Sequence, residues 1–503
     1  YFFSEKSKAF NLYVHLKINE IEELGALPSG MLNRQNELDS KLSYYADQMA
    51  KARSTGDQTA VDRYTDKIKK AKEERDQVEQ TLRSTNIDQY GLIHSTEIVA
   101  LEDTRQSLSD NQVILSYNMG NKETSVIYLS KEQSKAVAVS DTENLEELLV
   151  RYQALLTNPD LDTQKLMEYK DVSFQLYQLL LGNLDLDESV NEILIIPDNR
   201  LYFLPFESLI RNKEGSSFGQ LNYLIHSYDV RYAQSLTMMN YLKNKKNVND
   251  ELNVLALAPE FSNTAALPLL SSAERSSAGA IPNTKAEVGI ISRVFDTKVL
   301  ENDEATEQQF KSMYTDYQII HLATHGLVND RQPLESKILF QQIEGDSIDD
   351  GKLHSREILD LQMDAEMVVL SACNTGVGEI NRGEGAVSLA SSFFYSGARS
   401  VVLSQWPAND LSTSKIMGSF YQYLDQGLSK SAALRQAKLD YLQSEKEFVL
   451  HPYYWSQFVL HGKNDPLKWK MSDQLMLVIG LVSILLIVVA AIVIRQKMKP
   501  TMG

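Results

Sequence analysis

The spacing of apolar and polar positions changes along the chain, and each change marks a different kind of element. Up to about residue 100 the apolar positions recur at helical intervals. Leu38, Leu42, Tyr45 and Met49 form one stripe, and Val61, Tyr64, Ile68, Ala71, Val78 and Leu82 form another. Ser54-Thr55-Gly56-Asp57 is a turn between them, so the stripes predict an antiparallel coiled-coil hairpin. From about Asp103 the period shortens. Runs 112–118, 125–129 and 135–139 read as strands, the first two joined at Gly120-Asn121. The stretch 145–181 is helical again, as a single run. Short apolar runs follow near 192–198, 228–232, 252–258, 300–302, 317–326, 367–376 and 400–405, the signature of buried strands. A hairpin arm is expected over 334–343 and a flexible loop over 381–385. Helices are expected from 281, over 355–360, over 386–396 with Gly397 as the stop, over 411–425, and from Ser429 as N-cap. Strands alternating with helices predict an α/β fold.

Two of the apolar runs end in residues with chemistry. One closes on Thr324-His325-Gly326 and the other on Ser371-Ala372-Cys373-Asn374-Thr375-Gly376. In open α/β sheets ligands sit at the carboxyl ends of strands, where both His325 and Cys373 fall. A lone Cys after an apolar strand is ordinarily an inert buried residue. The pair is more informative than either member. Cys373 follows His325 by 48 residues, close to the spacing of a caspase His and its nucleophilic Cys, with Ala before the Cys and Gly shortly after. The residue ahead of that Ala departs from the caspase signature, and the Gly comes one place late. His321 and His325 stand four apart, as zinc ligands do on a helix, but no Glu follows His321 and the run reads as a strand. No metal is expected, and His321 is expected to pack behind the site.

Further blocks appear in order. They are Pro197-Asp198 running into Leu204-Pro205-Phe206, Tyr228 to Tyr232 with Ser235-Leu236, the short helix at 355–360, and His451-Pro452-Tyr453-Tyr454-Trp455 running to Gly462. With Thr324-His325-Gly326 and Ala372-Cys373, they resemble the CHAT family of caspase-like cysteine proteases, related to caspases, separase and gingipains, over about 103–462. The resemblance implies a caspase-like three-layer α/β/α body. A degenerate pseudo-caspase lobe at 103–250 would buttress a catalytic lobe at 251–465. The region 1–100 would be the end of a TPR-like array plus the hairpin. It implies Cys373 as nucleophile, His325 as base, and an oxyanion hole from the N–H groups of Gly326 and Cys373. Trp406 to Asp410 resembles the separase segment whose closing Asp lines a pocket for a substrate Arg. Asp410 is therefore the first candidate for substrate binding, with capping of the helix from Leu411 as the plainer role. Glu384 is the second. The family also implies a regulatory partner on the helical region and a protein substrate, a gasdermin-like protein in some bacterial relatives that act in defence.

Composition adds an anchor and removes some classes. Residues 475–494 are twenty uncharged, mostly apolar positions, long enough to cross a bilayer, followed by Arg495, Lys497 and Lys499 in a basic tail at 495–503. Single-pass attachment to a lipid bilayer is expected, with the protease part cytoplasmic because the chain's one Cys leaves no internal disulfide. The net charge of −17 argues against nucleic acid as a direct partner. The chain opens at Tyr1, which reads as a fragment or processed product. No Gly-rich phosphate cradle is present, so no cofactor is expected and an acyltransferase has no support. The sequence thus favours a membrane-anchored cysteine endopeptidase cutting after basic residues. Its rival is a catalytically silent CHAT scaffold, an interaction platform at the membrane.

Overall fold

The computed structural model describes residues 57–85, 98–120, 123–139, 141–159, 162–245, 252–261, 283–329, 333–342, 349–371, 379–381, 385–387, 389–407 and 409–467, together with Arg34, Leu38, Leu42, Tyr45, Met49, Ala52 and Arg53. The isolated N-terminal positions are helical and face helix α1 (Gln58–Thr85). Arg34 pairs with Glu74 at 2.8 Å, the rings of Tyr45 and Tyr64 lie 6.2 Å apart, and Thr65 Oγ1 meets Met49 Sδ at 3.7 Å. From Arg34–Glu74 to Tyr45–Tyr64 one number rises by 11 while the other falls by 10, which makes the pair antiparallel. Asp57 Oδ1 accepts from the Ala60 N–H at 3.0 Å at the start of α1, satisfying a donor that the helix itself cannot.

Strands β1 (Gln112–Met119), β2 (Thr124–Ser130) and β3 (Ser134–Val139) form an antiparallel meander. The expected single helix over 145–181 is two helices, α2 (Thr142–Thr157) and α3 (Thr163–Leu180). Pro159 explains the break. It pushes the residue before it out of the helical region, and Asn158 is extended at φ −121°, ψ 91°. Asp162 then caps α3 by accepting from the Gln164 N–H at 3.2 Å.

The remaining strands are β4 (Glu192–Ile196), β5 (Asp229–Tyr232), β6 (Val254–Ala258), β7 (Thr297–Glu301), β8 (Ile319–Leu322), β9 (Gly326–Leu327), β10 (Lys337–Leu339), β11 (Lys352–His354), β12 (Met367–Leu370), β13 (Glu379–Asn381), β14 (Gly385–Val387), β15 (Ser400–Ser404) and β16 (Phe458–Gly462). Helix α4 (Thr284–Val294) precedes β7, and α5 (Asp410–Asp425) and α6 (Lys430–Ser444) lie between β15 and β16. Eleven strands make one sheet in the order β3-β2-β1-β4-β5-β16-β15-β12-β8-β6-β7. The fold is mixed α/β with this sheet at its centre. All residues of β6, β8, β12 and β15 are buried, as parallel strands covered on both faces must be, whereas the edge strands β3 and β7 expose several positions. The arm expected at 334–343 supplies β10, the middle of a side sheet β11-β10-β9. The ends of the expected loop 381–385 are strands instead. Asn381 pairs with Gly385 in the β13–β14 hairpin, and Arg382, Gly383 and Glu384 fall outside the described residues.

The two expected lobes share this one sheet. They join where β16 meets β5 through the pair His461–Tyr232. Buried charge reinforces the seam. Lys438 Nζ on α6 sits 2.8 Å from Glu207 Oε1, with side-chain exposures of 2% and 5%, and donates to the Phe458 carbonyl at 2.5 Å. Tyr232 Oη donates to Glu207 Oε2 at 2.9 Å. Arg435 Nε and Nη2 donate to the carbonyls of Ile225 and His226 at 2.6 and 2.8 Å. Among the described residues no helix is long and apolar enough to cross a membrane, and the run 475–494 lies outside them.

Candidate active site

The site is built from three adjacent parallel strands. β12 lies between β8 and β15, and the three share one carboxyl edge. Met367, Val368, Val369 and Leu370 stand opposite Ile319, Ile320, His321 and Leu322, a constant offset of 48 residues. The same offset separates Cys373 from His325. His325 follows β8 by three residues, as Cys373 follows β12 by three. Cys373 is outside the described residues, which on this strand end at Ser371, itself buried.

His325 is held from two sides. Its carbonyl accepts from the Leu339 N–H at 2.9 Å, which ties it to β10. Its ring lies 5.1 Å from that of Phe261, just beyond β6, and the residue is 3% exposed. Thr324 Oγ1 donates to the Leu339 carbonyl at 2.5 Å and fixes the preceding residue. Gly326 faces Ile338 across the β9–β10 ladder. Hydrogen-bonded and non-bonded pairs alternate in an antiparallel ladder. Since Leu339 bonds to His325, the next pair is the non-bonded kind, and the Gly326 N–H points away from β10. That orientation is the one an oxyanion donor needs.

His321 lies behind the site, fully buried. Its Nδ1 is 3.0 Å from Tyr421 Oη on α5, and its Nε2 is 2.9 Å from Glu287 Oε1 on α4. Burial, helped by the Glu287 charge, holds the Tyr421 phenol well above its usual range, so Tyr421 keeps its proton. With Nδ1 bonded to Tyr421 and Nε2 in contact with Glu287, His321 links β8, α4 and α5. Among the described residues no group of three or more His, Cys, Asp or Glu side chains is arranged to hold a metal ion.

Asp410 is the first residue of α5, six positions beyond the end of β15, on the same edge of the sheet as His325. It is not the helix cap. Asn409 is, accepting from the Ser412 N–H at 3.1 Å. One oxygen of Asp410, Oδ2, instead accepts from both the backbone N–H and the side-chain amide of Asn283, each at 2.8 Å. Asn283 and Glu287 are one turn apart at the start of α4, so one helix touches both Asp410 and His321. Sequence reading passed over Asn283, Glu287 and Tyr421. The available signal was Glu287, an acid among the buried residues Val288 and Ile291 of α4. Glu384, the other substrate-binding candidate, is outside the described residues.

Tetratricopeptide repeat protein 28 of Homo sapiens is 26% identical over 305 residues, covering 54% of this chain and 12% of that protein. Its Mus musculus counterpart is 24% identical over 311 residues, with the same coverage. The chain thus spans about an eighth of the length of these curated relatives. Among solved structures, separase in the Saccharomyces cerevisiae separase–securin complex aligns with a TM-score of 0.42 at 10% identity, covering 72% of this chain and 30% of that one. The Arg-specific cysteine proteinase gingipain R (RgpB) of Porphyromonas gingivalis aligns with a TM-score of 0.36 at 11% identity, covering 61% and 68%. The CHAT domain model matches residues 170–463, more than half of the chain. On that match the chain belongs to the CHAT domain family.

Proposed function

We propose that the chain is a cysteine endopeptidase of caspase type, with Cys373 as nucleophile and His325 as its base. The observation behind this reading is the constant 48-residue register between β8 and β12, which is also the separation of the two residues. Adjacent strands run about 4.8 Å apart, so their matched ends bring the segments that carry the two residues to one edge of the sheet. A free Cys has a pKa of about 8.5 and gives little thiolate at neutral pH, so it needs a neighbouring base. His325 takes the thiol proton, the thiolate attacks the scissile carbonyl, and the oxyanion meets the N–H groups of Gly326 and Cys373. His325 then protonates the leaving amine, and water releases the acyl group. In this reading β1 to β5 are a degenerate caspase-like half that buttresses the other.

The substrate is a protein cut after a basic residue, with Asp410 supplying the matching carboxylate. Residues 475–494 anchor the enzyme in a membrane, and a partner on the N-terminal helices gates it. Cys373→Ala and His325→Ala should each abolish cleavage of peptide substrates while the circular dichroism spectrum is retained, because removing one member of a catalytic pair costs nearly the whole effect. Undiminished cleavage by purified Cys373→Ala would end the proposal.

A further inference from the structure

We infer that Asn283 sets the choice between lysine and arginine at the substrate-binding carboxylate of Asp410, and that it tilts that choice toward lysine. The inference rests on the proposed role of Asp410 in substrate binding. The geometry behind it is the pair of hydrogen bonds from Asn283, backbone N–H and side-chain amide, to the same oxygen of Asp410, both at 2.8 Å.

A carboxylate oxygen has two lone-pair positions, and a carboxylate about four in all. Asn283 fills both positions on Oδ2. What remains for a substrate is Oδ1. Arginine gains its advantage over lysine by a two-pronged contact, with parallel N–H groups reaching both oxygens of one carboxylate. That contact requires a free position on Oδ2. An ammonium is a compact charge with rotatable donors and needs only one oxygen. With Oδ2 taken, arginine loses its second prong and lysine loses nothing. Asn283 is also poorly placed to yield. Its backbone N–H is one of the two donors, its residue opens α4, and in the next turn of α4 Glu287 lies 2.9 Å from His321.

The test uses the full chain and matched peptide substrates carrying Arg, Lys or Leu before the cleaved bond. Wild type should cleave Lys at least as fast as Arg, and both well ahead of Leu, in kcat/KM. Asn283→Ala removes the side-chain donor and returns one position on Oδ2, so the Arg-to-Lys ratio should rise by roughly tenfold, the scale of one charge-assisted hydrogen bond. Asn283→Ser, too short to reach Oδ2, should shift the ratio the same way and serves if the alanine variant does not fold. An unchanged ratio in the folded variants, with basic substrates still preferred over Leu, overturns the role of Asn283 alone. Equal rates on Arg, Lys and Leu in wild type overturn it together with the role of Asp410.

Discussion

Lys438 and Glu207 should behave as one unit that fastens the two halves of the sheet. Lys438 Nζ is 2.8 Å from Glu207 Oε1, both side chains are almost wholly buried, and they belong to opposite halves. Lys438→Met removes the cation and leaves Glu207 with only the Tyr232 hydroxyl, at 2.9 Å, while the Phe458 carbonyl loses its 2.5 Å donor. An ion left buried without its partner costs about 3–5 kcal/mol. Glu207→Gln strands the ammonium and should cost a similar amount. The double variant, Glu207→Gln with Lys438→Met, contains no buried ion and should recover most of the loss, since neutral replacement of a buried pair is often nearly neutral. With single losses of about 3–5 kcal/mol each and a small loss in the double variant, the coupling between the two substitutions is about 5 kcal/mol or more, well above the roughly 0.5 kcal/mol scatter of independent sites. Urea unfolding of the four proteins, followed by tryptophan fluorescence, measures it. Additive losses in the double variant would show that the pair does not act as a unit.

Acid should weaken the fold through two buried histidines. Burial pushes His451 down to about 3 and His461 down to about 4. Both lie below the unfolded value of about 6.5, so their contribution is intact above pH 6.5 and is lost as the pH falls toward the folded values. At pH 4.5 each should cost about 2–3 kcal/mol. His451→Asn keeps an acceptor where Nδ1 receives the Tyr453 N–H at 3.1 Å and removes the titration. It should remove about half of the loss between pH 6.5 and 4.5 in urea titrations, the His461 share remaining, and an unaltered acid profile would refute the assignment. Gly397 and Gly427 both adopt positive φ, at 110° and 83°, but only at Gly397 would a Cβ strike a neighbour, the Met363 carbonyl. Gly427→Ala should cost about 1–2 kcal/mol from backbone strain alone, and Gly397→Ala about 2 kcal/mol beyond that from the collision. Equal losses would show that the Met363 contact relaxes freely.

The strands were legible because burial on both faces leaves near-continuous apolar runs, as in Val368-Val369-Leu370 and Val401-Val402-Leu403. The ends of helices were legible where Gly397 and Ser429 mark them by local chemistry. Pro159 was a signal overlooked. Its restriction acts on Asn158 and splits α2 from α3 even though the apolar spacing runs through both. The continuity of the sheet could not be read, because the seam rests on one backbone pair and on residues far apart in sequence, Glu207 with Lys438 and His461 with Tyr232. At the site, His325 was visible through its position at a strand end. Asn283 was not, since an Asn at a helix start ordinarily serves its own helix, and here it serves Asp410 at a separation of 127 residues.

Reactivity of the single cysteine tests the central proposal most directly. Cys373 is the chain's one thiol, so any thiol-directed label reports on it alone. The purified protein is treated with a lysyl acyloxymethyl ketone peptide, and the second-order rate is followed by intact mass from pH 5 to 9. A Cys373–His325 pair should label about thirtyfold faster than a free thiol peptide at pH 7, because only about 3% of a free Cys of pKa about 8.5 is thiolate there and the neighbouring base supplies the rest. His325→Ala should return the rate to that of the free peptide. Labelling of the wild type at the free-peptide rate, with the same pH profile as His325→Ala, would contradict the catalytic pair and leave a CHAT fold without its enzyme.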